Sequence, residues 1–437
     1  MQRKYSPLFI LSLALFSITA RAQETIYPVA KQQGITAITH ATVHIGNGTV
    51  LNDATVVFEN GKITNLGVGL AAPAGATVVD ASGKQVYPGL ILPSTDLGLV
   101  EVGAGVRGTN DYREIGENNA NIRALVSYNT DSKIINNLRA NGVLLAHVAP
   151  SGDLIEGQSS VVQLDAWNFE DAAYKADNGQ YISLPSFIVR SRGGRGGMAR
   201  ATEENPLKGA MDRVEKIKTF FTEAKAYLAE KNHVANNLRF EAVRGLFSGK
   251  QKLFVRANEV KQMLVAIDLG KTFGFKVVIV GGSESFQIAN ILADNNIPVI
   301  ISNQHALPST EDDDVDQPYK LPAQLNKAGV LFALNDENDK AKHMNISFNA
   351  GTAAAYGLSR EEALTALTLN TAKILGIDDK TGSIEIGKDA NIIISNGDIL
   401  DMRGNAVTNA FIQGRAISLD NKQKQLNERY KAKYKIK

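Results

Sequence analysis

Five polar residues sit in or just past apolar runs of strand length in this 437-residue chain: Asp96, His147, Arg256, His305 and Asp336. Carboxylates together with imidazoles can hold a divalent cation or take a proton from water. Asp96, His147, His305 and Asp336 therefore make a candidate mononuclear site for an ion such as zinc. Arg256 argues the other way. Its guanidinium stays protonated, offers a metal no lone pair and repels a divalent ion within Coulomb range. The arrangement these residue types favour is an ion pair from Arg256 to Asp336 or Asp96, with His147 and His305 as hydrogen-bonded rim histidines. Such a pair would depress the Asp336 carboxyl and leave it a poor general base.

Other clusters have plainer meanings. There are no cysteines, which removes disulfides, thiolate nucleophiles and cysteine-ligated metals, and leaves six histidines for any metal site. His40 and His44 fall in a predicted strand, where four residues separate two side chains by about 13 Å, too far for one metal. Glu311 to Asp316 holds five acids in six residues but lacks the glycine and terminal glutamate of a calcium loop, so it reads as a solvated lid. Arg190 to Arg200, rich in arginine and glycine, reads as a solvated loop rather than an anion clamp or an RNA-binding tract. The basic tail, Lys422 to Lys437, reads as a solubilising terminal helix.

Composition bounds the class. Hydrophobic residues at 44% and charged residues at 21% describe a folded globular protein, and a formal charge of +2 argues against nucleic-acid binding through overall charge. Gln2-Arg3-Lys4, the apolar run Leu8 to Ile18 and Ala20-Arg21-Ala22 have the order of a cleavable export signal over residues 1–22. That run is too short to span a membrane. The mature protein is expected to be periplasmic or secreted, with no membrane span.

Two kinds of element must position the polar residues. Residues 23–85 and 380–421 carry short strands with glycine and asparagine turns, among them Asn60-Gly61 as a hairpin, and are expected to meet in one small β-sandwich. Residues 86–379 alternate strands and helices. Val86 to Leu92, Gly142 to Ala149, Ser160 to Leu164, Lys252 to Val255, Phe275 to Val280, Ile297 to Ser302 and Gly329 to Leu334 read as strands. Helices are predicted from Asn205 to Leu228, Glu259 to Phe273, Ser285 to Asp294 and Arg360 to Leu369. Seven or eight nearly continuous apolar strands over this length predict a parallel (β/α)8 barrel of the TIM type.

Tyr87-Pro88-Gly89-Leu90-Ile91 resembles the first barrel strand of the amidohydrolase superfamily. Thr368 to Gly376 and Gly382 to Ile392 resemble the passage by which those enzymes leave the barrel and re-enter the sandwich. The likeness is nearest to the secreted, imidazolonepropionase-like branch. It implies one or two divalent metals that activate a water, held by His-x-His on strand 1, a carbamylated lysine or glutamate on strand 4, histidines on strands 5 and 6 and an aspartate on strand 8. On this sequence the His-x-His positions fall on Ser94 and Asp96, the strand 5 histidine on Arg256 and the strand 6 histidine on Gly281. The strand 4 ligand has no evident counterpart. Asp336 alone matches, as the strand 8 aspartate, and Tyr319 and Leu321-Pro322 resemble a substrate-covering segment.

The expectation is an α/β protein without the family's metal chemistry and with no cofactor, in which Asp336 is the one catalytic residue retained. Asp96, His147, Arg256, His305 and Tyr319 would face a small-molecule ligand. Its partner would be a metal-bearing amidohydrolase or a second copy of itself, with no nucleic acid. The alternative is an active hydrolase of carbon–nitrogen bonds (an amide, cyclic amide or dipeptide) with a site rebuilt around Asp336, His147 and His305 and one divalent metal such as zinc.

Overall fold

The computed structural model describes residues 27–101, 111–188, 206–308, 312–336 and 343–436. The export signal, the Arg190–Arg200 tract, Asn205 and Glu311 lie outside them. The first strands are β1 (Ile35–His44), β2 (Val50–Glu59), β3 (Lys62–Val68), β4 (Thr77–Asp80) and β5 (Gln85–Pro88). Eight more follow: β6 (Leu90–Thr95), β7 (Val143–Val148), β8 (Ile155–Gln163), β9 (Ala173–Ser183), β10 (Lys252–Ala257), β11 (Val277–Gly281), β12 (Val299–Ile301) and β13 (Phe332–Leu334). β14 (Ile392–Ser395), β15 (Val407–Ile412) and β16 (Arg415–Ala416) close the series.

The two ends of the chain form one sheet in the order β16-β15-β14-β5-β1-β2-β3, with β4 paired to β1. Asn60 and Gly61 both have positive φ, the geometry of the expected hairpin turn between β2 and β3. The sheet curls about its own core. Phe58 on β2 and Phe411 on β15 are far apart along the ladder, yet their rings meet edge-on at 5.1 Å.

The second sheet runs β6 to β13 in chain order. Ile91, Leu145, Val161, Tyr181, Phe254, Val278, Ile300 and Ala333, one from each strand, fill the interior of a nearly closed barrel. No β13–β6 ladder exists among the described residues; Asn335, just past β13, donates from Nδ2 to the Ser94 carbonyl at 2.9 Å across that seam. Around the barrel lie α1 (Lys133–Ala140), α2 (Pro206–Ala229), α3 (Val260–Phe273), α4 (Ala289–Asp294), α5 (Gln317–Lys327), α6 (Ile346–Ala355), α7 (Arg360–Leu367) and α8 (Leu369–Leu375). The basic tail forms α9 (Lys422–Tyr434), with no buried residue. No described helix is long and apolar enough to cross a membrane.

The expectation of an all-parallel sheet fails at one strand. β8 runs antiparallel to both β7 and β9. Only residues 149–154 join β7 to β8, too few for the crossover that a parallel neighbour needs. Val86 to Leu92, expected as one strand, divides at Gly89 between the two sheets. A Cβ there would lie 2.4 Å from Leu144 Cδ1, so close approach of the backbone requires glycine. The predicted helix from Arg360 to Leu369 breaks at Thr368 into α7 and α8.

Candidate functional site

The C-terminal ends of the barrel strands gather the polar residues. Because β8 is reversed, its beginning rather than its end lies there: Ile155 pairs with Ile182 near the end of β9. Glu156 is thereby carried to the barrel mouth with its side chain 1% exposed, and Arg256 near the end of β10 places Nε 3.0 Å from its Oε2. Glu156, which the sequence reading did not single out, is thus a carboxylate partner of Arg256, for which the sequence favoured Asp336 or Asp96. The guanidinium also lies 5.0 Å from the Tyr181 ring centroid, a cation–π contact.

Tyr181 anchors the layer beneath. Its ring stacks on Phe254 with centroids 5.0 Å apart, and its hydroxyl donates to Ser94 Oγ at 3.2 Å. His147, on β7, is fully buried in the same layer. Its Nδ1 is 2.9 Å from the Pro93 carbonyl, which can only accept, so Nδ1 carries the hydrogen. Nε2 then accepts, from the Ser159 hydroxyl at 2.8 Å and the Asn178 amide at 3.3 Å. Burial, reinforced by the charges of Lys175, Arg256 and Lys252, pushes the imidazole down to about 3, against the raising effect of the Pro93 bond. His147 is therefore a neutral interior residue with both ring nitrogens engaged.

His305 and Tyr319 form a separate, outer group. His305 is exposed; its Nε2 donates to Thr352 Oγ1 at 2.9 Å, and the Thr352 hydroxyl donates in turn to the Phe348 carbonyl. The ring of Tyr319, on α5, lies edge-on to His305 at 5.8 Å and 5.1 Å from Tyr356. His147 and His305 thus answer to different neighbours, and the proposed trio with Asp336 does not assemble through them. His40 and His44 also diverge as expected: His40 meets Asp53, and His44 meets Glu361 and Gln85.

Between strands 1, 7 and 8 the mouth is lined by amides and hydroxyls that the sequence reading missed. Asp336, 8% exposed, bridges to Asn303 and accepts from Asn349 Nδ2 at 3.4 Å. Thr95 Oγ1 lies 3.3 Å from Nδ1 of buried His343. Asp96 follows at the end of β6, half-buried. Ser302 Oγ, Asn303 Oδ1, both amide atoms of Gln304 and Asn335 Oδ1 are buried without a hydrogen-bonding partner among the described residues. The only sequence signal for them was a run of Ser-Asn-Gln directly after an apolar strand and an Asn beside the noted Asp336. Glu156 had no usable signal, because its placement depends on the reversal of β8.

The donors among the described residues do not reproduce the ligand set that the resemblance implies for a divalent metal. Among the described residues no group of three or more His, Asp or Glu lies close enough to hold an ion. Gly281 has φ +113, and a Cβ there would stand 2.5 Å from Asn258 Oδ1, so that position has no room for an imidazole.

Comparisons with known proteins cover most of the chain. Residues 254–417 match the model of the amidohydrolase family. An imidazolonepropionase of Deinococcus radiodurans is 24% identical over 410 residues, covering 85% of this chain and 93% of that protein. One from Thermoplasma volcanium is 30% identical over 115 residues, which span 26% of this chain and only 21% of that protein. Among solved structures, an amidohydrolase from Thermotoga maritima is 27% identical with a TM-score of 0.75, covering 88% of this chain and 99% of that one.

Proposed function

The chain belongs to the amidohydrolase superfamily, and we propose that within it this is an exported protein without metal-dependent hydrolysis, whose barrel mouth binds a small polar ligand. In this reading it works alone, as a homo-oligomer or as the non-catalytic partner of a metal-bearing relative. Three positions support the absence of metal chemistry. Ser94 supplies a weak hydroxyl ligand, Arg256 a cation salt-bridged to Glu156, and Gly281 no side chain.

The observation that carries ligand binding is the set of unpartnered polar atoms at the mouth. Ser302 is 3% exposed, Gln304 1% and Asn335 0%. Each such atom left without a partner costs about 1–3 kcal/mol, a penalty that a bound molecule offering donors and acceptors removes. The Asn335 amide is oriented by its bond to the Ser94 carbonyl, so its Oδ1 is free to accept from that molecule. Asp336 and Asn349 extend the same surface.

The second reading, a working hydrolase of carbon–nitrogen bonds, draws on Asp336 at the mouth and on the relatives named imidazolonepropionase. It needs His147 and His305 to act with Asp336, and the bonding of His147 opposes that. The deciding measurement is the elemental content of the full chain purified without chelators or affinity nickel. Below about a tenth of an equivalent of any transition metal, the non-catalytic reading stands. Near one equivalent, abolished by Asp336→Asn, would replace it with the hydrolase.

A further inference from the structure

At the opposite end of the barrel lies a cavity of about 550 Å³, within the range of small-molecule sites. It opens where β10, β11, β12 and β13 begin, with α3 and α4 alongside. Its inner wall is apolar, with Phe275, Leu292, Ile297 and Val330 all less than a tenth exposed. Its remaining wall carries three cations, Lys252, Lys271 and Lys276.

The fold accounts for only one of these lysines. Lys252 Nζ donates to the Lys373 and Ile374 carbonyls at 3.0 and 2.7 Å, and Lys175 Nζ to those of Leu375 and Gly376. These two ammonium groups thus satisfy the carbonyl end of α8, where cations belong. Lys271 and Lys276 have no such duty, and among the described residues no ion pair or hydrogen bond engages either ammonium. Positive charge is therefore in excess over apolar walls. Lys252 registers that excess: burial and the nearby charges of Lys175 and Lys276, only partly offset by Asp378, hold its ammonium down to about 8.

We propose that this basal cavity binds a small amphipathic carboxylate, with its head on Lys252, Lys271 and Lys276 and its apolar body along Phe275, Leu292 and Val330. The carboxylate supplies the missing negative charge, and the hydrocarbon removes the apolar wall from water. The site is independent of the barrel mouth, since it occupies the other end of the strands.

Calorimetric titration of the full chain with octanoate, octanol and acetate tests it. Octanoate should bind saturably at one site, with octanol and acetate at least about tenfold weaker. Lys271→Ala/Lys276→Ala, which alters two exposed side chains, should weaken octanoate at least tenfold, whereas Gln304→Met at the mouth, which breaks no hydrogen bond, should leave it unchanged. Absence of octanoate binding at millimolar concentration would overturn the proposal. So would equal affinity for octanol, or loss of binding in Gln304→Met, which would put the ligand at the mouth.

Discussion

At the scale of single residues, the Arg256–Glu156 pair is the feature most open to measurement. Glu156 is 1% exposed and Arg256 25%, so removing the arginine takes the counter-charge from a carboxylate in a largely dry site. Breaking such a pair from one side costs about 3 kcal/mol, and replacing both partners costs much less. Urea denaturation of Arg256→Met, Glu156→Gln and the double variant should show that non-additivity, and additive losses would mean that the two groups are not coupled. Arg256→His should lose stability without taking up zinc, because Glu156 loses its guanidinium partner and position 281 still has no ligand. Arg256, Asp96 and Asp336 were legible as unusual polar residues at strand ends. Glu156, Tyr181 and the amides of Gln304 and Asn335 were not, since a buried polar residue in a strand is distinguished only by what folds against it.

At the scale of elements, His44 joins the terminal sheet to the barrel helices. It lies at the end of β1, stacks on Tyr87 at 4.4 Å and bonds Glu361 of α7 at 2.6 Å and Gln85 at 2.9 Å. Burial works to lower its pKa, but the bonds to Glu361 and Gln85 and the Glu361 charge together raise it above 6.5. A raised histidine binds its proton more tightly folded than unfolded, so its contribution is complete below pH 6.5 and is lost as pH rises through the raised value. The melting temperature of the protein should therefore exceed that of His44→Gln most at about pH 6 and by less at about pH 8. A difference constant across that range would refute the assignment. The spacing of apolar residues identified most strands, but the reversal of β8 was invisible to it. Ile155 to Gln163 is buried along its length, polar residues included, and periodicity carries no sign of strand direction.

At the scale of the whole molecule, Asp165 ties three distant parts of the chain together. Its carboxylate accepts from Arg139 at 2.6 Å, from Arg415 on β16 at 2.9 Å and from the Val29 backbone at 3.0 Å. All three side chains are nine-tenths buried or more. Asp165→Ala leaves two arginines without their counter-charge, and a loss of about 3–5 kcal/mol is expected in equilibrium unfolding. A loss under about 1 kcal/mol would show that the barrel and the terminal sheet hold together without it.

The sequence by itself determined the architecture. Strand-length apolar runs alternating with helices, enclosed by two β-rich ends, dictate a barrel with an appended sheet, because each face must be buried against a partner of matching period. It also placed Ser94, Arg256 and Asp336 at strand ends, since residue type and position in a run are local properties. Tertiary structure alone decided the partners: Glu156 rather than Asp336 beside Arg256, His147 locked in the interior, and lysines gathered around a cavity at the base. Those pairings join residues about a hundred positions or more apart in sequence in several cases, and they rest on strand direction and on the depth at which each side chain comes to lie. Neither quantity has a local signature in the chain.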